Sequence, residues 1–261
     1  MNSIRLLCLF LGVSLASFAQ KQPWNGKKCA VVLTYDDALN VHLNNAIPAL
    51  DSAGFKGTFY ISGSFPGFTQ RLQDWRKAAQ RGHELGNHTL YHPCDASLPG
   101  RQWVNPENDL SKYTLKRITE EIKVTNVLLE AIDGKKSRTF AYTCGDAKVG
   151  MQFFMDGLKG ELMAARGVRG EMHPIDQIDL YNTDGYIVNN DSGEKMIALV
   201  KKAIETNTLL VFVFHGVGGE HSLDVSLAAH RELVHFLKAN EKNIYVDTLL
   251  GVSEYIKSVR K

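Results

Sequence analysis

Apolar runs of strand length alternate with helical hydrophobic patterns along most of this 261-residue chain. The run TLLVFVF at 208–214 is the most strongly strand-like segment. Such alternation is typical of a parallel sheet whose strands are joined by helical crossovers. Polar residues directly follow several of these strands, as they do in barrel enzymes. We therefore predict an α/β fold, a distorted (β/α) barrel of seven or eight strands.

The bounds of the elements follow from the apolar periodicity and the residues that interrupt it. Strands are predicted at 28–35, 55–61, 83–89, 138–142, 162–168, 186–189, 208–214 and 243–247. Helices are predicted at 40–53, 70–80, 115–132, 194–205, 226–239 and 252–257. Gly54 is expected to end the first helix as a C-terminal cap. The segment 93–112 carries three prolines, and we expect a long functional loop there.

The first 19 residues have the features of an export signal. Arg5 supplies a positive charge, an almost unbroken apolar run follows it, and small residues end at Ala19. The apolar run is shorter than the roughly 20 residues that a membrane span needs. We therefore predict a signal peptide at 1–19, no membrane anchor, and an exported chain that begins at Gln20 in the periplasm or outside the cell.

Charge and cysteine content exclude some classes of protein. Lys and Arg number 30 against 28 Asp and Glu, so nothing in the net charge favours a nucleic acid or an anionic membrane as partner. No G-x-G-x-x-G follows the first strand, so a dinucleotide-binding fold has no support. Three cysteines follow the predicted signal: Cys29, Cys94 and Cys144. An odd count permits at most one bridge and leaves one thiol free or near a metal.

Three groups of polar residues follow predicted strands. Asp36 and Asp37 end the first strand, although such a pair is also common in solvated turns. On a helical turn, His88 and His92 would project from one face and could bind one metal ion, but an isolated pair at this spacing is more often on the surface. His215 follows the strongest strand and precedes a glycine, which suits either proton transfer or a hydrogen bond to loop backbone.

The order and spacing of these groups resemble the polysaccharide deacetylases with a NodB-homology domain, also called carbohydrate esterase family four. Their T-F-D-D-G motif appears as Thr34-Tyr35-Asp36-Asp37-Ala38, and their H-[ST]-x-x-H motif as His88-Thr89-Leu90-Tyr91-His92. Their late L-x-H motif is close to Val213-Phe214-His215. The resemblance covers residues 28–257 and is more specific than any one motif.

The resemblance implies a role for each residue. Asp37, His88 and His92 would bind a divalent metal ion, usually zinc, while Asp36 acts as general base and His215 as general acid. Three protein ligands leave a coordination position open, as hydrolytic zinc sites require. The implied catalytic domain, at 20–261, is a metal-dependent hydrolase that removes O-acetyl or N-acetyl groups from a carbohydrate.

The third motif of the family, R-x-P-Y-G, is degraded here. Aligned on Gly145, its Arg falls on Ala141 and its Tyr on Cys144. Because the family Tyr uses its backbone N–H to bind the oxyanion, Cys144 could still serve. The family Arg steadies the catalytic base, and its replacement is open among Arg138, Arg166 and Arg169.

Two further features of the family are open in this sequence. The aspartate that orients the acid histidine would be Asp179 or Asp184. Tyr91 and Trp103 are candidates for stacking on sugar rings, although loop aromatics equally often form small packing clusters.

The substrate is not specified by the motifs. A secreted single domain with a long aromatic-bearing loop slightly favours O-acetyl groups on hemicellulose over polymers of N-acetylglucosamine. Two alternatives keep the same fold: a catalytically impaired carbohydrate-binding protein, and a metal-dependent amidohydrolase that acts on a non-glycan amide.

Overall fold

A curled, mainly parallel sheet organises residues 23–260, the part of the chain that the computed structural model describes. The predicted signal peptide lies outside these residues. In chain order the strands are β1 (Cys29–Asp36), β2 (Thr58–Ile61), β3 (Glu84–Asn87), β4 (Thr139–Ala141), β5 (Lys148–Val149), β6 (Gln152–Phe153), β7 (Ala164–Arg166), β8 (His173–Pro174), β9 (Tyr186–Ile187), β10 (Thr208–Phe214), β11 (Gly216–Val217), β12 (Asp224–Val225) and β13 (Ile244–Val246). The α-helices are α1 (Ile47–Ala53), α2 (Pro66–Thr69), α3 (Leu72–Gln80), α4 (Leu115–Asp133), α5 (Gly193–Thr206), α6 (Leu227–Ala239) and α7 (Leu249–Val259).

The main sheet has the strand order β7-β4-β3-β2-β1-β10-β8, while β13 also pairs with β1 and β9 with β10. All of these pairs are parallel except β8 with β10. Thr183 bridges to Arg166 of β7, and β9, which follows it, pairs with β10. The segment between Thr183 and β9 therefore links the two sides of the curled sheet. The predicted distorted (β/α) barrel is confirmed, with seven strands of three or more residues and two of only two.

The core lies around the two longest strands. Every residue of β1 and β10 is buried, as expected of parallel strands covered on both faces. Tyr35 of β1 stacks on Phe59 of β2 and on Phe214 of β10, with ring centroids 4.8 and 5.2 Å apart. These contacts join three neighbouring strands just below the point where β1 ends, and so give the polar residues beyond it a rigid support.

Most predicted elements are present with bounds shifted by a few residues. Gly54 has the left-handed φ of 76° expected of a C-terminal cap. The helix predicted at 40–53 is instead a π-helical turn, His42–Ala46, that continues into α1. The short helix α2 and the two-residue strands β5, β6, β8, β11 and β12 were not predicted, because such short elements carry no periodicity. Among the described residues, no helix has the length and apolar character needed to cross a membrane.

Candidate active site

The carboxyl ends of the parallel strands open into a cavity of about 650 Å³. Its walls include Asp36 and Asp37 after β1, His88 and His92 after β3, and His215 after β10. Parallel strands bring their carboxyl ends to one edge of the sheet, so residues that are far apart in sequence meet there. The structure thus brings together all five residues to which the motifs assign chemistry.

The two adjacent aspartates point in different directions because the chain turns between them. Asp36 is the last residue of β1, whereas Asp37 has a φ of 78° and Ala38 a φ of 53°. A positive φ is uncommon outside glycine, although aspartate tolerates it better than most residues. The reversal directs the Asp37 carboxylate toward two histidines and leaves that of Asp36 facing an arginine.

Asp37, His88 and His92 form a compact set of ligand atoms. Asp37 Oδ1 lies 3.6 Å from His88 Nε2 and 3.3 Å from His92 Nε2, and all three atoms lie within 4.8 Å of one another. Asp37 Oδ1 is buried and has no hydrogen-bond partner within the described residues. A buried carboxylate oxygen without a donor costs free energy, so this donor set fits a divalent cation bound between the three atoms.

The hydrogen bonding of His88 suits a ligand role. Its Nδ1 donates to the carbonyl of Ala141 at 2.9 Å, which leaves the lone pair of Nε2 directed toward Asp37. Burial lowers the pKa of His88 to about 4, despite the opposing effect of Asp36. The imidazole is therefore neutral at physiological pH, the form that binds metal.

The segment that carries both histidines is a loop, so the predicted helical turn is wrong. Thr89 and His92 have positive φ angles of 63° and 54°. Side chains hold this conformation: Glu121 of α4 accepts the N–H of Tyr91 at 2.9 Å, and Thr89 Oγ1 accepts the N–H of His92 at 2.9 Å. The two imidazoles therefore converge through left-handed backbone conformations rather than through helical spacing.

Asp36 is paired with Arg166, the last residue of β7. Both side chains are buried, and Arg166 Nη2 lies 2.5 Å from Asp36 Oδ1 and 2.6 Å from Oδ2. Burial alone would raise the pKa of Asp36, but Arg166, His88 and His215 together hold that pKa at about 2. Asp36 is therefore an ionised carboxylate at neutral pH, as a general base must be.

The other two candidate arginines lie elsewhere. Arg138 pairs with Asp133 at 2.9 Å, and Arg169 pairs with Asp184 at 2.7 Å. Of the three arginines that the sequence leaves open, only Arg166 contacts Asp36.

Neither aspartate proposed to orient the acid histidine does so. Asp184 is occupied by Arg169 and by His173, whose Nε2 lies 2.8 Å away. Asp179 accepts a backbone N–H from Tyr181. The prediction of Asp179 or Asp184 in this role is therefore wrong, because local partners engage both carboxylates.

His215 lines the same cavity. Its Nε2 lies 4.0 Å from Asp36 Oδ2, and its carbonyl oxygen lies 2.7 Å from Nε2 of the buried His42. Its Nδ1 is buried with no hydrogen-bond partner in residues 23–260. Burial lowers the pKa of His215, and this effect exceeds the opposing attraction of Asp36 and Asp37. A low pKa makes the protonated imidazole a stronger acid.

Cys144 lies in the cavity wall with a left-handed φ of 55°. Its backbone N–H donates no hydrogen bond within the described residues, so it is available to an oxyanion. Its side chain forms a disulfide with Cys94, and Cys29 is a buried free thiol. The odd cysteine count thus resolves into one bridge and one free thiol, and the bridge ties the loop after His92 to the segment around Cys144.

The two candidate aromatic residues differ in position. Trp103 lines the cavity and is 66% exposed, so one face is free for a ligand. Tyr91 is 45% exposed but does not line the cavity. Stacking of Tyr91 on a sugar ring therefore stays a prediction, and it would have to take place outside this cavity.

Two residues of the site were missed by sequence reasoning. His221 lies in the cavity wall beside His215. The glycine-rich run before it indicates a tight turn. Arg101 also lines the cavity, pairs with Asp146 and donates to the carbonyl of Cys144 at 3.1 Å. No sequence pattern distinguishes Arg101 from a surface arginine.

Known proteins resemble this chain in sequence. Residues 25–153 match the family model described as polysaccharide deacetylase. The uncharacterised protein YlxY of Bacillus subtilis (strain 168) is 32% identical over 106 residues, covering 41% of this chain and 28% of that protein. The peptidoglycan-N-acetylmuramic acid deacetylase PdaA of the same organism is 26% identical over 121 residues, covering 44% of this chain and 38% of that one.

Known structures resemble it in fold. The crystal structure of a probable polysaccharide deacetylase from Pseudomonas aeruginosa PAO1 has a TM-score of 0.63 and 9% identity over 90% of this chain and 93% of that one. At this identity the likeness concerns the fold alone. The chain spans well under half the length of the curated relatives named above.

Proposed function

We propose, from the premise that residues 25–153 belong to the polysaccharide deacetylase family, that this protein is a metal-dependent hydrolase that removes acetyl groups from a glycan. One observation carries the proposal: Asp37 Oδ1, which has no hydrogen-bond partner among residues 23–260, lies 3.3–3.6 Å from two imidazole Nε2 atoms, in a cavity that is also lined by an ionised Asp36.

Asp37, His88 and His92 would hold the metal ion, and this His₂Asp donor set favours zinc. Such an ion, when bound, polarises the acetyl carbonyl and makes the attacking water more acidic. Asp36 takes the proton of that water, and Arg166 keeps Asp36 ionised and in place.

Two further residues of the cavity wall carry out the remaining steps. The backbone N–H of Cys144 donates to the carbonyl oxygen as negative charge develops on it. His215 protonates the departing nitrogen or oxygen of the sugar as the bond to the acetyl carbon breaks. The products are acetate and a sugar that carries a free amine or hydroxyl.

The substrate is proposed to be an acetylated glycan outside the cytoplasm. The cavity with the exposed face of Trp103 at its wall suits a sugar ring. The name of the relative PdaA brings N-acetyl groups on peptidoglycan into consideration beside the O-acetyl groups of hemicellulose. The Cys94–Cys144 bridge supports an exported chain, because disulfides persist in oxidising compartments.

Release of acetate tests this function. The purified protein is incubated with acetylated xylan, chitin oligomers and peptidoglycan, each with and without a chelator. We expect acetate from at least one glycan, loss of release with the chelator, and recovery on addition of zinc. Metal-bound protein that releases acetate from none of these glycans would contradict the proposal, and chelator-resistant release would contradict its metal dependence.

A further inference from the structure

Within the described residues, Nδ1 of His215, the acid of the proposed reaction, has no carboxylate partner. His215 Nδ1 is buried without a hydrogen-bond partner in residues 23–260, and both candidate aspartates are engaged elsewhere. The hydrogen bond at the His215 carbonyl positions its backbone but not its ring. A proton donor must be held in a defined geometry to be effective, so another group must orient the imidazole.

The ring of His221 lies directly against that of His215. The two centroids are 4.6 Å apart and the planes differ by 17°, which is a parallel stack. No other aromatic ring of the described residues stacks on His215. This contact limits rotation of the His215 ring about χ2, and a neutral ring face also tolerates a positive charge on its neighbour.

A backbone hydrogen bond selects the tautomer of the neutral His221 ring. The N–H of Leu223 donates to His221 Nδ1 at 3.0 Å. A neutral imidazole that accepts at Nδ1 carries its proton on Nε2. Nε2 of His221, 4.0 Å from Asp37 Oδ2, is then a donor and not a metal ligand, which separates it from His88 and His92.

The loop that carries His221 is anchored at two points. Glu220 accepts the N–H of Val41 at 2.7 Å and a proton from the Asn40 side chain at 2.9 Å. Asp224 accepts the N–H of Gly219 at 3.0 Å. His221 is therefore held by the segment that follows β1, and its stacked ring is part of a rigid wall of the cavity.

We infer that His221 is a positioning residue, which holds the imidazole of His215 in the orientation needed to protonate the leaving group. This inference rests on the proposed hydrolytic function. The stacked ring of His221 would do for His215 what an orienting carboxylate does in the family pattern. The contribution of His221 to the rate should depend on the leaving group. A poor leaving group must be protonated as it departs, whereas an activated phenolate need not be.

The test compares His221→Ala, which removes the ring, with His221→Phe, which retains a flat ring without nitrogen. His235→Ala is the matched control, since His235 is exposed on α6 and does not line the cavity. Each protein is assayed for kcat and KM on an N-acetylated chitin oligomer and on nitrophenyl acetate, and its metal content is measured.

For His221→Ala we expect a loss of about 10-fold in kcat on the oligomer, with KM, metal content and the rate on nitrophenyl acetate close to those of the parent. His221→Phe should recover kcat to within about threefold of the parent, and His235→Ala should match it. Equal losses of His221→Ala on both substrates, or a Phe variant as slow as the Ala variant, would overturn the inference.

A second measurement does not depend on turnover. The ring protons of His215 should show a ring-current shift in NMR spectra of the parent and of His221→Phe, and lose it in His221→Ala. If the parent releases no acetate, the proposed function fails on its own, whereas unchanged His215 signals in His221→Ala would refute the positioning role in either case.

Discussion

Arg166 and Asp36 are 130 residues apart in the chain, yet their side chains meet as a buried ion pair at 2.5 and 2.6 Å. Arg166 ends β7 and Asp36 ends β1, and three strands lie between β7 and β1 in the sheet. The pair explains how Asp36 stays ionised although the third motif is degraded. The arginine reaches the carboxylate from a different strand than the motif would have used.

Replacing Arg166 should therefore shift the acidic limb of the pH–rate profile. Arg166→Met removes the nearest positive charge from buried Asp36, so the pKa of Asp36 rises above about 2 and the acidic limb of the rate profile moves to higher pH. Arg166→Lys keeps a positive charge and should shift the limb less. Profiles of kcat/KM against pH for the three proteins provide the measurement, and coincident acidic limbs would show that Arg166 does not set this pKa.

The same pair should stabilise the fold in a pH-dependent way. The folded-state pKa of Asp36 is about 2 against an ordinary 3.8. Its contribution is therefore fully present above about pH 4 and lost as the pH falls through 2. Breaking a buried pair by removing one partner costs about 3–5 kcal/mol, so Arg166→Met should unfold at lower denaturant concentration at pH 7, with a smaller difference at pH 3. An equal difference at both pH values would contradict this account.

The two neighbouring aspartates should separate metal binding from catalysis. Asp37→Ala and His88→Ala each remove one ligand atom from the set and should lose both metal and activity. Asp36→Asn keeps the shape of the side chain and should retain the metal while losing roughly 10²–10⁴-fold in rate. Elemental analysis beside acetate release checks both. Stoichiometric zinc in Asp37→Ala, or near-parental activity in Asp36→Asn, would refute the assigned roles.

His215→Ala should retain the metal and lose activity according to the leaving group. An amide must have its nitrogen protonated, so release from an N-acetyl sugar should fall by roughly 10²-fold or more. Nitrophenyl acetate has a stable leaving anion and should be affected much less. The measurement is the ratio of the activity losses on the two substrates. A ratio near one would show that His215 is not the general acid.

The Cys94–Cys144 bridge should stabilise the protein and position the segment that carries the candidate oxyanion donor. The bridge closes a loop of sequence separation 50, and a disulfide typically contributes roughly 2–4 kcal/mol of stability. The double variant Cys94→Ser/Cys144→Ser should melt at lower temperature and lose kcat with little change in metal content. A dithiol reductant should impair the parent and have no further effect on the double variant. Inhibition of both proteins alike would instead indicate that the reductant strips the metal.

The sequence alone was sufficient to predict the barrel and the five motif residues that line its cavity. Long strands such as β10 carry a strong apolar signal, and parallel strands necessarily bring their carboxyl ends to one edge. Residues that directly follow such strands, like Asp36 and His215, are therefore close in space whatever the loops do. The predicted positions of these residues needed only local pattern and the general geometry of the fold.

The tertiary structure decided which partners these residues have. Three arginines were equivalent by sequence, and only the curl of the sheet brings Arg166 to Asp36. The loop of His88 and His92 adopts positive φ angles because Glu121, from a distant helix, accepts its N–H groups. His221 reaches His215 through an anchored loop. Each of these contacts depends on long-range packing, which distinguishes between residues that have equal local propensity and equal charge.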